Sequence, residues 1–274
     1  MLALQGAACA PVEGTDDGRV TVVASFFPLA EAAREIGEDS VAVTNLTAPG
    51  VEPHDLELSP DDLEAIAEAD VVVMLGGGFQ PAVEQAVEAE ARGTVVDAMD
   101  LVEPIGDDPH VWLDPLRYRA IADGLAAAMT AAGADADGAA AFTSELSDLD
   151  AEFSDGLAAC TSRLLVTTHE AFGYLADRYD LQQQAASGIT PESEPDAARL
   201  AELEALIRDE GITTVFAEPG GTALAQTLAD EAGIEVAELN PLEGLTQEQL
   251  DSGEDYPSVM LDNLDALREG LGCE

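Results

Sequence analysis

The sequence predicts an α/β fold of two lobes, each a small, mainly parallel sheet flanked by helices, with a long connecting helix between them. Two observations carry this. Short apolar runs alternate with helical stretches at the spacing of parallel βαβ units in both halves of the chain. Between the two series, Phe142, Leu146, Leu149, Phe153 and Leu157 recur at intervals of four, three, four and four residues, which makes one apolar stripe along a helix.

Val20 to Phe27 is a mostly apolar strand stopped by Pro28, and Leu29 to Ile36 reads as a helix closed by Gly37. Val41 to Leu46 is a second strand, leading into a loop rich in Pro and Gly. Ser59 is a good N-cap, Pro60 suits the first helical position, and Asp61 and Asp62 sit where the helix dipole favours negative charge; this helix runs to about Ala69. Val71 to Leu75 is a third strand, Gly76-Gly77-Gly78 turns into a helix from about Pro81 to Arg92, and Thr94 to Ala98 is a fourth strand. Asp114-Pro115 repeats the cap pattern and opens a helix to about Ala132.

Beyond the striped helix, Leu164 to Thr167 restarts the pattern, with a short helix at Phe172 to Tyr179 and another at Asp196 to Glu210. Strands at Thr213 to Ala217 and Glu235 to Leu239 flank a helix at Thr222 to Ala232, and Val259 to Leu271 is the last helix. The expected division is a signal remnant or lipoprotein tether over 1–19, an N-terminal lobe over 20–132, a connecting helix within 133–159 and a C-terminal lobe over 160–274.

The 274 residues include ten Arg, no Lys and 56 acids, a net charge of −46. Such a field repels nucleic-acid phosphates and anionic membranes, so no nucleic-acid partner is expected. The acids are spread along the whole chain, which fits solubility in a salty setting where screening shortens the reach of self-repulsion. No apolar run approaches the roughly eighteen residues of a membrane-spanning helix. Cys9 follows Gly6-Ala7-Ala8, the small-residue end of a lipoprotein signal, although Met1 to Leu4 is short for its apolar segment; a lipid on Cys9 would tether the chain to a membrane. Cys160 precedes a strand and Cys273 ends the last helix, so they pair if that helix packs back near residue 160, which requires an oxidising compartment.

All three histidines lie in short, turn-flanked motifs: Pro53-His54-Asp55, Asp108-Pro109-His110-Val111-Trp112 and Thr167-Thr168-His169-Glu170. Imidazole nitrogen is a common zinc ligand, and three imidazoles with one carboxylate make a tetrahedral set. More than fifty residues separate each histidine from the next, so only tertiary structure could gather them. Ligands of open α/β sheets bind beyond the carboxyl ends of strands. His54, His169 and Glu243 follow predicted strands there and His110 precedes a helix, two groups from each half, which places the site in the cleft between lobes. Glu243, in Asn240-Pro241-Leu242-Glu243-Gly244, is the expected fourth ligand; Glu218, after another strand, is a candidate for the same place or for a supporting one. Asp55, Asp114 and Glu170 are acids that could orient imidazole N–H groups, with a helix cap as the competing role for Asp114.

Ala24-Ser25-Phe26-Phe27-Pro28-Leu29, Glu52-Pro53-His54-Asp55-Leu56-Glu57-Leu58-Ser59-Pro60 and Asp108-Pro109-His110-Val111-Trp112-Leu113-Asp114-Pro115 resemble the metal-binding subunits of bacterial zinc and manganese ABC importers. Thr168-His169-Glu170-Ala171-Phe172-Gly173-Tyr174-Leu175 and Ser187-Gly188-Ile189-Thr190-Pro191-Glu192-Ser193-Glu194-Pro195 continue the resemblance, which covers residues 20 to 274. It implies two lobes on a long rigid helix, with metal held by His54, His110, His169 and the Glu243 loop. It also implies an extracytoplasmic, monomeric binding protein that captures Zn²⁺, delivers it to an ABC transporter permease and touches the membrane only through the possible lipid anchor.

Histidine at the third position argues for zinc over manganese, whose carriers place a carboxylate there; nitrogen donors favour Zn²⁺ and hard oxygens Mn²⁺. Asn240 stands where such carriers have an Asp, which leaves the fourth ligand open among Glu243, Glu218 and Asn240. The His-rich loop of many zinc members has no counterpart in Val102 to Asp108.

Competing classes fit less well. A zinc hydrolase would use the same ligands with an open position for water, but Gly173 stands where HExxH needs its second His. A nucleotide fingerprint starting at Gly76 would need Gly at position 81, which is Pro81. An adhesin-like role is compatible with the fold, because exported metal-binding lipoproteins are surface-exposed, though nothing in the sequence encodes a partner beyond the transporter.

Overall fold

The computed structural model describes residues 18–189 and 197–274; Cys9 and the segment from Thr190 to Asp196 lie outside them. The first half runs β1 (Val20–Ala24), α1 (Phe27–Gly37), β2 (Val41–Asn45), α2 (Pro60–Glu68), β3 (Val71–Met74), α3 (Pro81–Glu90), β4 (Thr94–Asp97) and α4 (Pro115–Ala132). After α5 (Ala139–Gly156), the second half runs β5 (Leu164–Thr167), α6 (Gly173–Arg178), β6 (Gln182–Ala185), α7 (Ala197–Glu210), β7 (Thr214–Ala217), α8 (Thr222–Ala232), β8 (Glu235–Glu238), α9 (Gln247–Ser252) and α10 (Tyr256–Leu271).

The strands form two four-stranded sheets of matching order, β2-β1-β3-β4 and β6-β5-β7-β8, and every strand pair in them is parallel. In each, the chain leaves the first strand to one side and returns on the other, so the crevice of the topological switch lies beyond the ends of β1 and β5.

Period-two alternation divides each sheet between two cores. Val22 and Ala24 of β1 and Val71 and Val73 of β3 join the central core, whereas Val23 and Val72 face Ile66, Val83 and Val87 beneath α2 and α3. In the second sheet Leu165 and Phe216 face the centre, while Val166 and Val215 pack outward on Leu203, Ile207 and Leu228 of α7 and α8. One buried apolar cluster therefore runs from the inner face of one sheet to the inner face of the other.

The middle of that cluster is α5, which buries Phe142, Leu146, Leu149 and Phe153 and packs on α1, α4 and α10. Its eighteen residues span about 27 Å at 1.5 Å per residue. Arg178 clamps it to the second half through paired bonds of 2.7 and 2.8 Å to Asp150. The last helix returns beside it, Tyr256 meets Tyr118 of α4 with ring centroids 4.5 Å apart, and Cys160 is disulfide-bonded to Cys273.

Three elements depart from the sequence reading. The strand β6, Gln182–Ala185, has no apolar run because it is an edge strand with one solvated side, and α9 is too short to show a periodicity. The last helix starts at Tyr256, three residues before the expected Val259, because Asp255 caps it with a reciprocal bond to Ser258.

Because lobes sharing a continuous apolar core do not hinge freely, the radius of gyration by small-angle scattering should be unchanged by divalent metal. Hydrogen exchange should change only in the loops carrying His54, His169 and Glu243. A large change in radius, with protection spread over both lobes, would mean whole-domain closure.

Candidate metal centre

His54, His110, His169 and Glu243 come together between the two sheets, each from a segment beyond the carboxyl end of a strand. His54 follows β2 by way of the loop from Leu46, and its side chain is 7% exposed. It stands edge-on to Phe79, with ring centroids 4.5 Å apart. The triple-glycine turn after β3 delivers Phe79 there: Gly77 and Gly78 adopt φ of +80° and +87°, a conformation that side chains resist. That packing role accounts for the glycines that evoke a nucleotide loop.

His110 is fully buried and opens a short 3₁₀ turn, Val111–Leu113. Asp108 Oδ1 accepts the His110 backbone N–H at 2.9 Å and lies 2.7 Å from Nδ1, so the ring points Nε2 at Glu243 Oε1, 2.9 Å away. Gly173 makes room for this from the other lobe, since a Cβ there would run into Asp108 Oδ2. A side chain at the position where HExxH needs its second histidine would displace the Asp108 carboxylate from its place beside His110.

His169 follows β5. Its carbonyl accepts from Thr167 Oγ1 at 2.7 Å and from Gln183 Nε2 at 3.1 Å, and its ring lies between two acids, Nδ1 at 3.3 Å from Glu218 Oε1 and Nε2 at 3.8 Å from Glu243 Oε1.

Glu243 is the carboxylate common to all three rings, its Oε1 also lying 3.5 Å from His54 Nε2. The ligand atoms of His54, His110 and Glu243 all fall within 4.8 Å of one another. In a tetrahedral zinc site with bonds of about 2.0–2.1 Å, neighbouring donors stand about 3.3 Å apart, close to these separations. His54 Nε2 and both His169 nitrogens are buried without a hydrogen bond, a costly state that an ion among them would relieve at both Nε2 atoms. A cleft of about 210 Å³ lined by Glu52, Glu218 and Glu243 leads to the group from solvent.

The charges are interlocked. Burial presses the His169 imidazolium down, but Glu218 and Glu243 outweigh it and raise its pKa to about 9. Burial likewise opposes a charged His110, and Asp108 with Glu243 overcomes it, so that group also titrates above its ordinary value. Burial alone would push Glu243 up, yet His110, His169 and His54 hold it well below the usual carboxylate range.

Several expected partners act elsewhere. Asp114 caps α4 by accepting from Leu116 and Arg117 N–H groups at 2.9 and 3.2 Å and pairs with the Arg117 guanidinium. Glu170 is exposed, and among the described residues neither it nor Asp55 meets an imidazole. Asp108 orients the His110 ring instead, and Glu218 sets a negative charge 3.3 Å from His169 Nδ1. Asn240 turns away, its side-chain carbonyl accepting the Leu242 N–H at 2.8 Å.

A family model described as the periplasmic component A of the zinc-uptake complex, ZnuA, matches residues 22–270. The zinc-binding lipoprotein AdcA of Streptococcus pneumoniae is 34% identical over 280 aligned residues, covering 92% of this chain and 56% of the relative; the chain thus spans about half the length of that protein. The high-affinity zinc uptake system protein ZnuA of Bacillus subtilis is 31% identical, with 92% of this chain and 88% of the relative covered. The crystal structure of the Zn(II)-bound ZnuA-like domain of S. pneumoniae AdcA superposes with a TM-score of 0.81 at 34% identity, covering 93% of this chain and 99% of that domain. By fold, match length and identity together, the chain belongs to the family of ZnuA, the periplasmic component A of zinc-uptake complexes.

Proposed function

We propose that this chain captures Zn²⁺ between a lobe of residues 20–132 and a lobe of residues 160–274, and delivers it to the permease of an ABC importer. One observation carries the reading: three imidazoles from separate loops each bring Nε2 to within 2.9–3.8 Å of Glu243 Oε1, and two of those Nε2 atoms have no hydrogen bond of their own. His54, His110, His169 and Glu243 are the ligands in this reading, with Asp108 holding the His110 ring and Glu218 beside His169. Four donors fill a tetrahedral set and leave no position for an activated water, which favours carriage over hydrolysis. The Cys160–Cys273 disulfide fits an oxidising, extracytoplasmic compartment, where a lipid on Cys9 would tether a monomer to the membrane.

The direct test is elemental analysis of protein purified without chelator, followed by competitive titration of Zn²⁺ against Mn²⁺. One zinc per chain and a strong preference for zinc are expected; an empty chain, or one that prefers Mn²⁺, overturns the reading.

Binding should depend on pH in a window set by the carboxylates. In the metal-free chain His169 stays protonated up to about pH 9, so zinc must displace a proton over most of the range from the ordinary imidazole value of about 6.5 up to 9. The apparent affinity should therefore keep rising above pH 7, beyond the range set by unperturbed imidazoles. The sign for stability is the reverse. A histidine whose folded pKa is raised stabilises the metal-free fold fully below its unfolded pKa, and this contribution fades as pH rises through about 9. Calorimetry in two buffers of different ionisation enthalpy reads the protons released; none released at pH 7.5 would contradict this charge arrangement.

A further inference from the structure

The loop that presents Glu243 is strained. Leu242, fully buried and immediately before Glu243, has φ of +56°, in the left-handed region that β-carbons disfavour. The other non-glycine residues with positive φ among those described, Glu38 and Asp180, are exposed turn residues. Strain at a buried leucine persists only where its surroundings hold it, and here the holding bonds are identifiable. From α10, Asn263 accepts the Asn240 N–H at 2.7 Å and donates to the Asn240 carbonyl at 2.7 Å. From the opposite lobe, the Trp112 indole N–H donates to the Pro241 carbonyl at 2.7 Å. The Trp112 carbonyl is itself fixed by the Tyr256 hydroxyl at 2.6 Å, and the Tyr256 N–H by Glu31 of α1 at 2.7 Å. The strained loop is thus pinned on one side by its own lobe and on the other by the lobe that carries His54 and His110.

We infer that Trp112 and Asn263 are positioning residues that hold the Asn240–Glu243 loop in its ligating form, so that unpinning either lets Glu243 withdraw from the histidines and speeds zinc release. This rests on the functional reading above. The mechanism is backbone relaxation: freed from its pins, Leu242 returns to negative φ, which turns the following peptide and carries the carboxylate off. A shift of about 1 Å between the lobes suffices, because it stretches the 2.7 Å Trp112–Pro241 bond beyond hydrogen-bonding range. A transporter that displaces one lobe slightly would open the site without moving a whole domain.

The test is zinc dissociation into excess chelator, measured by stopped flow on the full chain. Trp112→Phe keeps an aromatic ring but removes the donor together with part of the indole's buried volume beside His110; Asn263→Ala removes the other pin on α10. Each should release zinc about tenfold faster than wild type, the scale of a buried carbonyl left without its donor. In a Glu243→Gln background the same substitutions should change the rate less than twofold, because their effect runs through Glu243.

A structural role alone would lower the unfolding midpoint and leave zinc release unchanged. Wild-type release from both variants overturns the inference, and so does an undiminished Trp112→Phe effect in the Glu243→Gln background, which would route it through neighbouring His110. Should Trp112→Phe not fold, Asn263→Ala carries the same cycle. A wild-type chain that takes up no zinc would instead bring down the functional reading, a distinct outcome visible in the first measurement.

Discussion

His110→Ala should weaken zinc binding by about a hundredfold or more. Apparent binding energies of structural zinc sites, about 10–16 kcal/mol, shared over four ligands put about 3 kcal/mol on each, and every 1.4 kcal/mol is tenfold. His110 is the strongest choice because it is wholly buried, aimed by Asp108 and nearest of the three rings to Glu243. Its removal also strands two buried acids without their shared countercharge, so some loss of metal-free stability should accompany the loss of binding. His54→Ala separates the two effects, since His54 packs at the edge of the site and its loss leaves the Asp108–His110–Glu243 line intact. Both variants should lose zinc, while Asp108→Asn should lose about ten- to a hundredfold by releasing the ring rather than removing a bond. Isothermal titration with a competing chelator measures all three, and wild-type affinity in both histidine variants would remove the metal site from the account.

Much of this was legible in the sequence, for reasons that can be named residue by residue. The inner strands of both sheets are short apolar runs bounded by Pro, Gly or polar caps, and Ser59-Pro60 and Asp114-Pro115 announce helix starts that the structure places at Pro60 and Pro115. The connecting helix was legible because a single helix packed on three others must keep one stripe buried along its length.

Illegible were features that depend on partners distant in sequence. Gln182-Gln183-Gln184 is polar, yet it pairs along β5, and Gln183 braces the carbonyl of His169 from there. Asp108 is one acid among 56, and only the fold shows that its carboxylate turns back onto the ring two residues later. A sheet order of 2-1-3-4 leaves no local mark, because strand pairing is decided by packing between elements and not by either strand alone. The left-handed Leu242 is the extreme case: nothing about a leucine suggests that conformation, which exists because Asn240, Asn263 and Trp112 converge on the residues beside it.

Replacing both cysteines, Cys160→Ser with Cys273→Ser, should lower the stability of the metal-free chain by about 2–5 kcal/mol and leave zinc affinity within about twofold of wild type. The crosslink joins residues 113 apart, and for a loop of about a hundred residues the chain-entropy account gives about 4.7 kcal/mol from restriction of the unfolded state. Native contacts at this junction should survive the loss. Thr161 and Ser162 N–H groups still donate to the Gly272 and Leu271 carbonyls at 3.1 Å, and Glu274 N–H to Ala159. The junction lies before β5, at the strand's opposite end from His169, and follows the last turn of a sixteen-residue helix whose first half carries Tyr256 and Asn263. At 1.5 Å per residue the end of that helix lies about 12 Å from Asn263 and about 22 Å from Tyr256, two to four turns from the residues that hold the Glu243 loop. Denaturant unfolding in chelator, paired with zinc titration of the same sample, reads both quantities. A fall in zinc affinity in step with the fall in stability would show that α10 needs its distal anchor to present Asn263, and an unchanged unfolding midpoint would show that the unfolded chain gains nothing from its freedom.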